Sequence, residues 1–298
     1  MHIPKSFKEK ITNTFGEQGH DWLARLETTV QNYADHWQLS LEGPVGNLSY
    51  NYVVKAKDNQ GVPVILKLGI PGFDFTNEIK TVQAYHSVGC AGLLKSNPDG
   101  GAMLLEQLVP GTMLKAEVNE QVAIEQFVKV WKAIRRPIST GLDCPTISDW
   151  AKGLKRYLAN FSNEDGPIIT DHIKLAYTYF KQISETSEKA ELLHGDLHHQ
   201  NILFSEEKGW LAIDPKGVAG DRYFDLISFL VNELHNKSNP KEILGNRVDA
   251  LVSVLDLDRE RLLKAAFAMA TLYACWGIED KDPEWENSYL YAQWFAQF

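Results

Sequence analysis

The chain has 298 residues, of which 44% are hydrophobic and 23% charged, a composition that excludes a disordered protein and allows two packed lobes. Its formal net charge is −9 without any block of lysine or arginine, so we expect a cationic small molecule rather than a nucleic acid as partner. The three cysteines are scattered, and no run approaches the roughly 18 apolar residues of a membrane span. We therefore expect a cytoplasmic protein with reduced thiols, and leave its oligomeric state open.

The first 37 residues differ in periodicity from those that follow. Apolar side chains at helical spacing over residues 5–37 predict one or two amphipathic helices, with a break at Gly16–Gly19. We treat residues 1–36 as a helical extension to which the sequence assigns no function. From Trp37 the segments WQLSLEG, SYNYVVKA and VPVILKLG alternate in hydrophobicity between turns, which predicts an antiparallel meander.

The turn Gly43–Ser49 joins the first two predicted strands. Gly46 and Ser49 lie in it, and glycines let backbone N–H groups approach phosphates closely. The turn does not spell a complete GxGxxG, so it is either a nucleotide-binding loop or a plain hairpin connection.

A charged pair is predicted just downstream. Lys67 is the only charge in the strand VPVILK, where it either leaves the sheet edge or reaches a nucleotide. The segment FDFTNEIKTVQAYHSVG predicts a helix capped by Asp74 or Thr76 and ended by Gly89. Glu78 is expected in its first turn, where the helix dipole favours an acid, and could also hold Lys67 against nucleotide phosphates.

The apolar strand GAMLLEQLVPG is expected to end the first lobe. Its backbone from Glu106 to Leu108 could join the lobes and hydrogen-bond the edge of an adenine. We place the domain boundary at Pro110, which makes residues 37–110 a nucleotide-binding sheet lobe with one helix and residues 111–298 a helical lobe. Within the second lobe, Ser148 and either Asp256 or Asp258 are expected to start helices.

The stretch LHGDLHHQNILFSEEKGWLAIDPKG contains the residues that indicate a reaction. Asp196 follows His-Gly, Asn201 comes five positions later, and Asp214 ends the second of two short strands. This layout is typical of phosphoryl transfer. Asp196 would orient and deprotonate an acceptor hydroxyl, while Asn201 and Asp214 would bind Mg²⁺ beside the phosphates of a nucleotide.

Three histidines surround the proposed base. His194, His198 and His199 form an HxxxHH cluster that could bind zinc, but the stretch has strand and loop character and lacks the glutamate of HExxH. We favour packing and hydrogen bonding for His194, a position facing the γ-phosphate for His198, and a polar surface position for His199. Asp225 is expected to cap the helix DLISFL and to tie it to the catalytic loop.

HGDLHHQN resembles the HGDxxxxN loop of the aminoglycoside phosphotransferase superfamily, and IDP stands where protein kinases have Asp-Phe-Gly. LLHGDLHHQNILFSEEKGWLAIDPKGVAGDRYFD and LDLDRERLLKAAFAMATLYACW are similar to its streptomycin 6-phosphotransferase and hydroxyurea phosphotransferase branch, although Gln200 replaces a glutamate frequent there. The resemblance implies an α+β, bilobal protein-kinase-like fold that binds ATP and Mg²⁺ in the cleft between a sheet lobe and a mainly helical lobe. By position it carries the base onto Asp196, metal binding onto Asn201 and Asp214, and phosphate binding onto Lys67 with Glu78.

The resemblance leaves the acceptor open. Substrates in this family are often polycations bound by carboxylates, so Asp221, Glu279 and Asp280 are candidate contacts, although a charged loop can also be simply solvated. Three functions remain: a kinase of an aminoglycoside-type antibiotic or hydroxyurea, a kinase of a sugar or amino alcohol, and an inactive nucleotide-binding regulator. The joint presence of Lys67, Glu78 and the three residues of the catalytic stretch argues against the regulator.

Overall fold

The computed structural model describes residues 3–139, 141–161 and 165–298. These residues form two compact units, one comprising the residues up to Gly111 with Ser205–Glu207, and the other comprising Thr112–Phe204 and Lys208–Phe298. Within the described residues, no helix combines the length and the apolar character needed to cross a bilayer.

The first unit is an antiparallel sheet with helices, as predicted. Its elements are α1 (Lys5–Trp37), β1 (Ser40–Pro44), β2 (Tyr52–Lys57), β3 (Pro63–Leu68), α2 (Phe73–Tyr85), β4 (Leu93–Asn97) and β5 (Ala102–Glu106), with β6 (Pro110–Met113) at the division between the units. The strands run in the order β1–β2–β3–β5–β4, and every neighbouring pair is antiparallel. The predicted meander and the predicted apolar strand, β5, are confirmed, whereas the edge strand β4 was not predicted.

Helix α1 shares a hydrophobic core with the sheet. It is interrupted at Gly16, whose φ of 55° and ψ of −129° confirm the predicted break. Phe7, Ile11 and Leu26 are buried in one cluster with side chains of β2 and β3. Burying side chains of this size contributes about 1.5–3 kcal/mol each, so α1 stabilises the unit to which it belongs.

Helix α2 begins and ends earlier than its sequence suggested. Its N-cap is Gly72 rather than Asp74 or Thr76, and His86, in the left-handed region, ends it before Gly89. Both predicted boundaries are therefore wrong. Because the helix starts at Phe73, Glu78 lies in the second turn, where the helix dipole no longer explains an acid.

The second unit is mainly helical, as predicted. Its elements are α3 (Glu120–Ile134), α4 (Ile147–Trp150), α5 (Lys152–Asn160), α6 (Thr170–Glu185), β7 (Glu191–Leu193), β8 (Ile202–Ser205), β9 (Gly209–Ala212), β10 (Val218–Gly220), α7 (Ile227–Val231), α8 (Pro240–Leu255), α9 (Arg259–Glu279) and α10 (Trp285–Phe295), with 3₁₀ helices at Leu114–Ala116 and Arg222–Leu226. Asp258 caps α9 as expected, whereas α4 starts from a capping box of Thr146 and Asp149 instead of from Ser148.

Candidate active site

Short strands bring the two halves of the catalytic stretch together. The loop that carries Asp196 runs from β7 to β8, and the segment that carries Asp214 runs from β9 to β10. Strand β10 pairs antiparallel with β7, so the end of the second segment returns to the start of the first. The backbone N–H of Ile213 also donates to the carbonyl of Asn201 over 2.9 Å. These contacts place the predicted base and both predicted metal ligands in one small region of the second unit.

His194 braces this loop, which confirms its predicted role. Its imidazole is fully buried, with Nε2 at 2.9 Å from the carbonyl oxygen of Ile213 and Nδ1 accepting from the backbone N–H of Asp196 at 3.2 Å. Burial lowers the pKa of His194 to about 3, so the ring is neutral at physiological pH. A neutral ring with its proton on Nε2 satisfies both contacts.

The carboxylate of Asp196 remains accessible at the end of the braced loop. About a third of the side chain, 35%, is exposed. Its Oδ1 lies 3.6 Å from Nε2 of His198, and its Oδ2 lies 3.5 Å from the amide nitrogen of Asn201. Surrounding protein raises the pKa of the Asp196 carboxyl above its usual range, while His198 and Lys216 act against this shift. A fixed and accessible carboxylate of raised basicity is suited to accept a proton.

Asn201 and Asp214 offer oxygen atoms suited to magnesium. The amide nitrogen of Asn201 donates to the backbone carbonyl of Asp196 over 2.9 Å, which leaves its amide oxygen for a ligand. Asp214 has a φ of 58°, a left-handed conformation that is uncommon for a residue with a Cβ and recurs at functional sites. No cluster of three or more His, Cys, Asp or Glu arranged for a metal occurs in the part of the chain that the structure describes. One amide and one carboxylate nevertheless fit Mg²⁺, which keeps several waters and binds phosphates.

His199 is not a surface residue, so that prediction is wrong. Its ring stacks on Phe229 of α7, with centroids 4.4 Å apart and planes at 11°, and only 4% of the residue is exposed. The Nη2 atom of Arg247 in α8 lies 3.4 Å from its Nε2 atom. Burial lowers the pKa of His199 to about 3. The helices that cover His199, α7 and α8, follow much later in the chain, so the local sequence pattern could not predict its burial.

Gly195 and Asp225 hold the start of the loop. Gly195 has a φ of 79°, and a Cβ there would lie 2.9 Å from the ring of Trp150, so both backbone and space require glycine. Its N–H donates to Oδ1 of Asp225 over 2.8 Å, which confirms the predicted tie. The predicted cap is wrong, because Asp225 lies inside the 3₁₀ helix and Leu226 is the N-cap of α7.

A second tie to the loop was missed by sequence reasoning. The amide nitrogen of Gln200 donates to Oε1 of Glu233 over 2.7 Å, and Nζ of Lys115 lies 3.0 Å from the same oxygen. Burial acts to raise the pKa of Glu233, but these two partners outweigh it and hold the pKa below its usual value. Gln200 directly precedes Asn201, so the contact fixes the residue beside the predicted metal ligand. The three partners are far apart in sequence, and no spacing indicated them.

In the first unit, Lys67 and Glu78 form the predicted ion pair. The Nζ and Oε1 atoms are 2.5 Å apart, and both side chains are buried. Strand β3, which carries Lys67, is flanked by β2 and β5, so the alternative that the side chain leaves a sheet edge is wrong. A buried cation paired with a carboxylate is the arrangement expected for a group that neutralises phosphate charge.

Four further predicted nucleotide contacts also lie in the first unit, whereas His198 lies in the second. Gly46 and Ser49 lie in the exposed loop between β1 and β2. The Glu106 carboxylate accepts from the N–H of Gly92 over 2.9 Å, and its own backbone N–H donates to the Gly92 carbonyl. Leu108 is buried two residues later. The carboxylate and the N–H of Glu106 are thus engaged within its unit. Any hydrogen bond to an adenine would therefore come from the backbone of the residues that follow, up to Leu108.

The three predicted acceptor contacts differ in availability. Asp221 is 8% exposed and forms an ion pair with Arg261, so its carboxylate is engaged within the fold. The carboxylate of Glu279 accepts from two nitrogens of Arg156, at 2.9 and 3.3 Å. Asp280, which follows α9, is exposed. We therefore retain Asp280 as the available acidic candidate of the three.

Half-buried aromatic side chains lie beside the base loop. Trp150 of α4 and Trp276 of α9 meet edge to face with centroids 5.5 Å apart, and Tyr273 lies 5.9 Å from Trp276. Trp150 also borders Gly195. Burial raises the pKa of Tyr273, and the negative charge of the nearby Asp196 adds to this effect. Sequence reasoning missed the group because its members come from distant helices.

Comparison with known proteins agrees with this geometry. Residues 36–281 match the family model of the aminoglycoside/hydroxyurea antibiotic resistance kinases. A streptomycin 6-kinase of Streptomyces glaucescens is 27% identical over 94% of this chain and 92% of its own length. A hydroxyurea phosphotransferase of Kitasatospora aureofaciens is 28% identical over 94% of this chain and 81% of its own length.

A solved structure shows the same fold at low identity. The choline kinase LicA of Streptococcus pneumoniae superposes with a TM-score of 0.63 at 13% identity, covering 92% of this chain and 100% of LicA. The match confirms the kinase-like fold, while the family model spans both units of the chain. This chain is therefore a phosphotransferase that belongs to the aminoglycoside/hydroxyurea antibiotic resistance kinase family.

Proposed function

We propose that this kinase transfers the γ-phosphoryl group of ATP to a hydroxyl of a streptomycin-like aminoglycoside, with Mg²⁺ as its metal ion. The observation that carries this proposal is the accessible carboxylate of Asp196, braced by His194 and adjacent to the amide of Asn201. Streptomycin 6-kinases aligned over 94% of the chain support the choice of acceptor. The cytoplasm, where ATP is abundant, is the proposed location.

The proposed reaction assigns a role to each of these side chains. Asp196 accepts the proton of the acceptor hydroxyl while that oxygen bonds to the γ-phosphorus and the bond from phosphorus to the ADP oxygen breaks. Lys67, oriented by Glu78, binds the phosphates of ATP. Asn201 and Asp214 hold Mg²⁺, which neutralises charge on the phosphates. His198, 3.6 Å from the Asp196 carboxylate, keeps the base oriented and is the candidate to face the γ-phosphate.

The surroundings of the base favour a cationic acceptor. The chain carries a net charge of −9. The half-buried rings of Trp150 and Trp276 can contact apolar faces or cationic groups, and the exposed Asp280 follows the helix that carries Trp276. A guanidinium or ammonium group would be attracted by both kinds of side chain.

Hydroxyurea is the second candidate acceptor. Its support is the hydroxyurea phosphotransferase of Kitasatospora aureofaciens, which is 28% identical over 94% of this chain, slightly above the streptomycin kinase. The same base would deprotonate its hydroxyl. The small, neutral molecule would make little use of Trp150, Trp276 or Asp280, which is why we place it second.

A coupled ADP-release screen tests the proposal. Purified protein, ATP and Mg²⁺ are incubated with streptomycin, other aminoglycosides, hydroxyurea, sugars and amino alcohols, with Asp196→Asn as the inactive reference. We expect acceptor-dependent ADP release with streptomycin, and mass spectrometry should find one added phosphoryl group. Turnover with only a sugar or amino alcohol would refute the antibiotic acceptor. ATP binding without turnover of any acceptor would instead indicate a regulator.

A further inference from the structure

Helix α1 contacts the loop between β1 and β2. Nζ of Lys10 donates to Oγ of Ser49 over 3.2 Å and lies 4.2 Å from the centroid of the Tyr50 ring. Phe15 meets the same ring edge to face, with centroids 6.4 Å apart. One lysine thus holds two successive residues of the loop, by a hydrogen bond and by a cation–π contact.

The helix that carries Lys10 is itself firmly anchored. Phe7 and Ile11, which flank the lysine in sequence, are buried in the core shared with β2 and β3. The ring of Phe7 lies 5.8 Å from that of Tyr52, which begins β2 just after the loop. Lys10 is therefore an exposed group on a fixed support. Within the loop, the N–H of Val45 donates to the carbonyl of Val53 over 3.0 Å and Leu48 packs against the same core, whereas Gly46 and Ser49 are exposed and glycine leaves the backbone many conformations.

We infer that Lys10 is a positioning residue for the nucleotide: it holds the β1–β2 loop in the conformation that presents backbone N–H groups to the phosphates of ATP. The inference rests on the proposed function, because it requires this loop to bind the nucleotide. It also assigns a role to α1, most of which precedes the residues 36–281 matched by the family model.

Loss of the Lys10 contacts should weaken nucleotide binding selectively. Without Lys10, the segment at Ser49 and Tyr50 must be ordered when ATP binds, and this ordering lowers affinity without altering the base. One exposed hydrogen bond with one exposed cation–π contact corresponds to a change of about two- to fivefold. We expect Lys10→Ala to raise the KM for ATP and the Kd for ADP by that factor, with an unchanged KM for the acceptor.

Matched variants separate positioning from general charge or stability. Lys8→Ala removes the same charge from an exposed position on the same helix and should leave the Kd for ADP unchanged. Lys10→Arg keeps the cation and a donor and should restore nucleotide affinity. Ser49→Ala should weaken ADP binding less in a Lys10→Ala background than alone, because the two residues act through one contact. Melting temperatures of all variants are compared with that of the wild type.

The reference for the nucleotide site is the double variant Lys67→Met/Glu78→Leu, which replaces the buried pair by apolar side chains. If Lys10→Ala binds ADP as tightly as Lys8→Ala does while the reference loses binding, the inference is wrong and the proposed function stands. If the reference also binds ADP normally, the proposed nucleotide site fails and the inference fails with it.

Discussion

Lys67 and Glu78 form an ion pair with 3% and 11% of their side chains exposed, so removing one of them leaves the other buried without this counter-ion. Lys67→Ala should therefore cost stability, on the order of 3–5 kcal/mol, as well as nucleotide binding. Lys67→Met/Glu78→Leu should recover most of the stability, because an apolar pair replaces the ion pair, but it should not bind ADP. Thermal melts and ADP titrations measure the two effects separately. A double variant with wild-type turnover would contradict the role of the pair.

Asp196→Asn should lower kcat by about 10² to 10⁴, because the amide keeps the size of the side chain but accepts no proton. The melting temperature should change little, since 35% of the side chain is exposed and its contact with Asn201 is long. Single-turnover kinetics measure the chemical step directly. Asp249→Asn, which removes an exposed carboxylate from α8, should leave kcat unchanged. Equal kcat values for the two variants would exclude Asp196 as the base.

Local pattern predicted those features whose partners are near in sequence. Lys67 and Glu78 are 11 residues apart, and a strand followed by a helix brings them together. Asp196 and Asn201 lie on one loop five residues apart. Alternation likewise predicted the meander. Each of these follows from periodicity or from the reach of a short loop.

Contacts between helices that are distant in the chain could not be predicted from the sequence. His199 was predicted to lie at the surface because no residue close to it in sequence indicated burial. In the structure, Nη2 of Arg247, 48 residues later, lies 3.4 Å from its Nε2 atom. Gln200 and Glu233 are 33 residues apart. The direction from which α7 and α8 approach the loop depends on helix packing, which the spacing of apolar residues does not specify. Aromatic neighbours of the base, such as Trp276, were missed for the same reason.

The carboxyl of Asp225 should make stability depend on pH. Burial raises its pKa to about 6, from an ordinary value of 3.8, although the N–H of Gly195 favours its charged form. Between these values the folded state binds more protons than the unfolded state, so the free energy of unfolding falls as pH rises from about 4 to 6. Asp225→Asn should remove this contribution to the slope. The free energy of unfolding of the variant minus that of the wild type should therefore increase by about 2–3 kcal/mol from pH 4 to pH 7. Thermal melts at both pH values test this. A difference that does not vary with pH would show that Asp225 does not titrate in this window.

The contact between Gln200 and Glu233 offers a test by exchange. Gln200→Glu would place a second carboxylate where the amide now donates over 2.7 Å, and two carboxylates this close cannot both be charged without a large cost. We expect a loss of about 1–3 kcal/mol of stability and a lower kcat, because Asn201 is the next residue. Gln200→Glu/Glu233→Gln restores one donor and one acceptor in reverse order and leaves a carboxylate for Lys115, so it should recover both quantities. Melting temperatures and kcat at pH 7.5 are compared for the single and double variants. If the double variant is no better than Gln200→Glu alone, the loss has another origin than this pair.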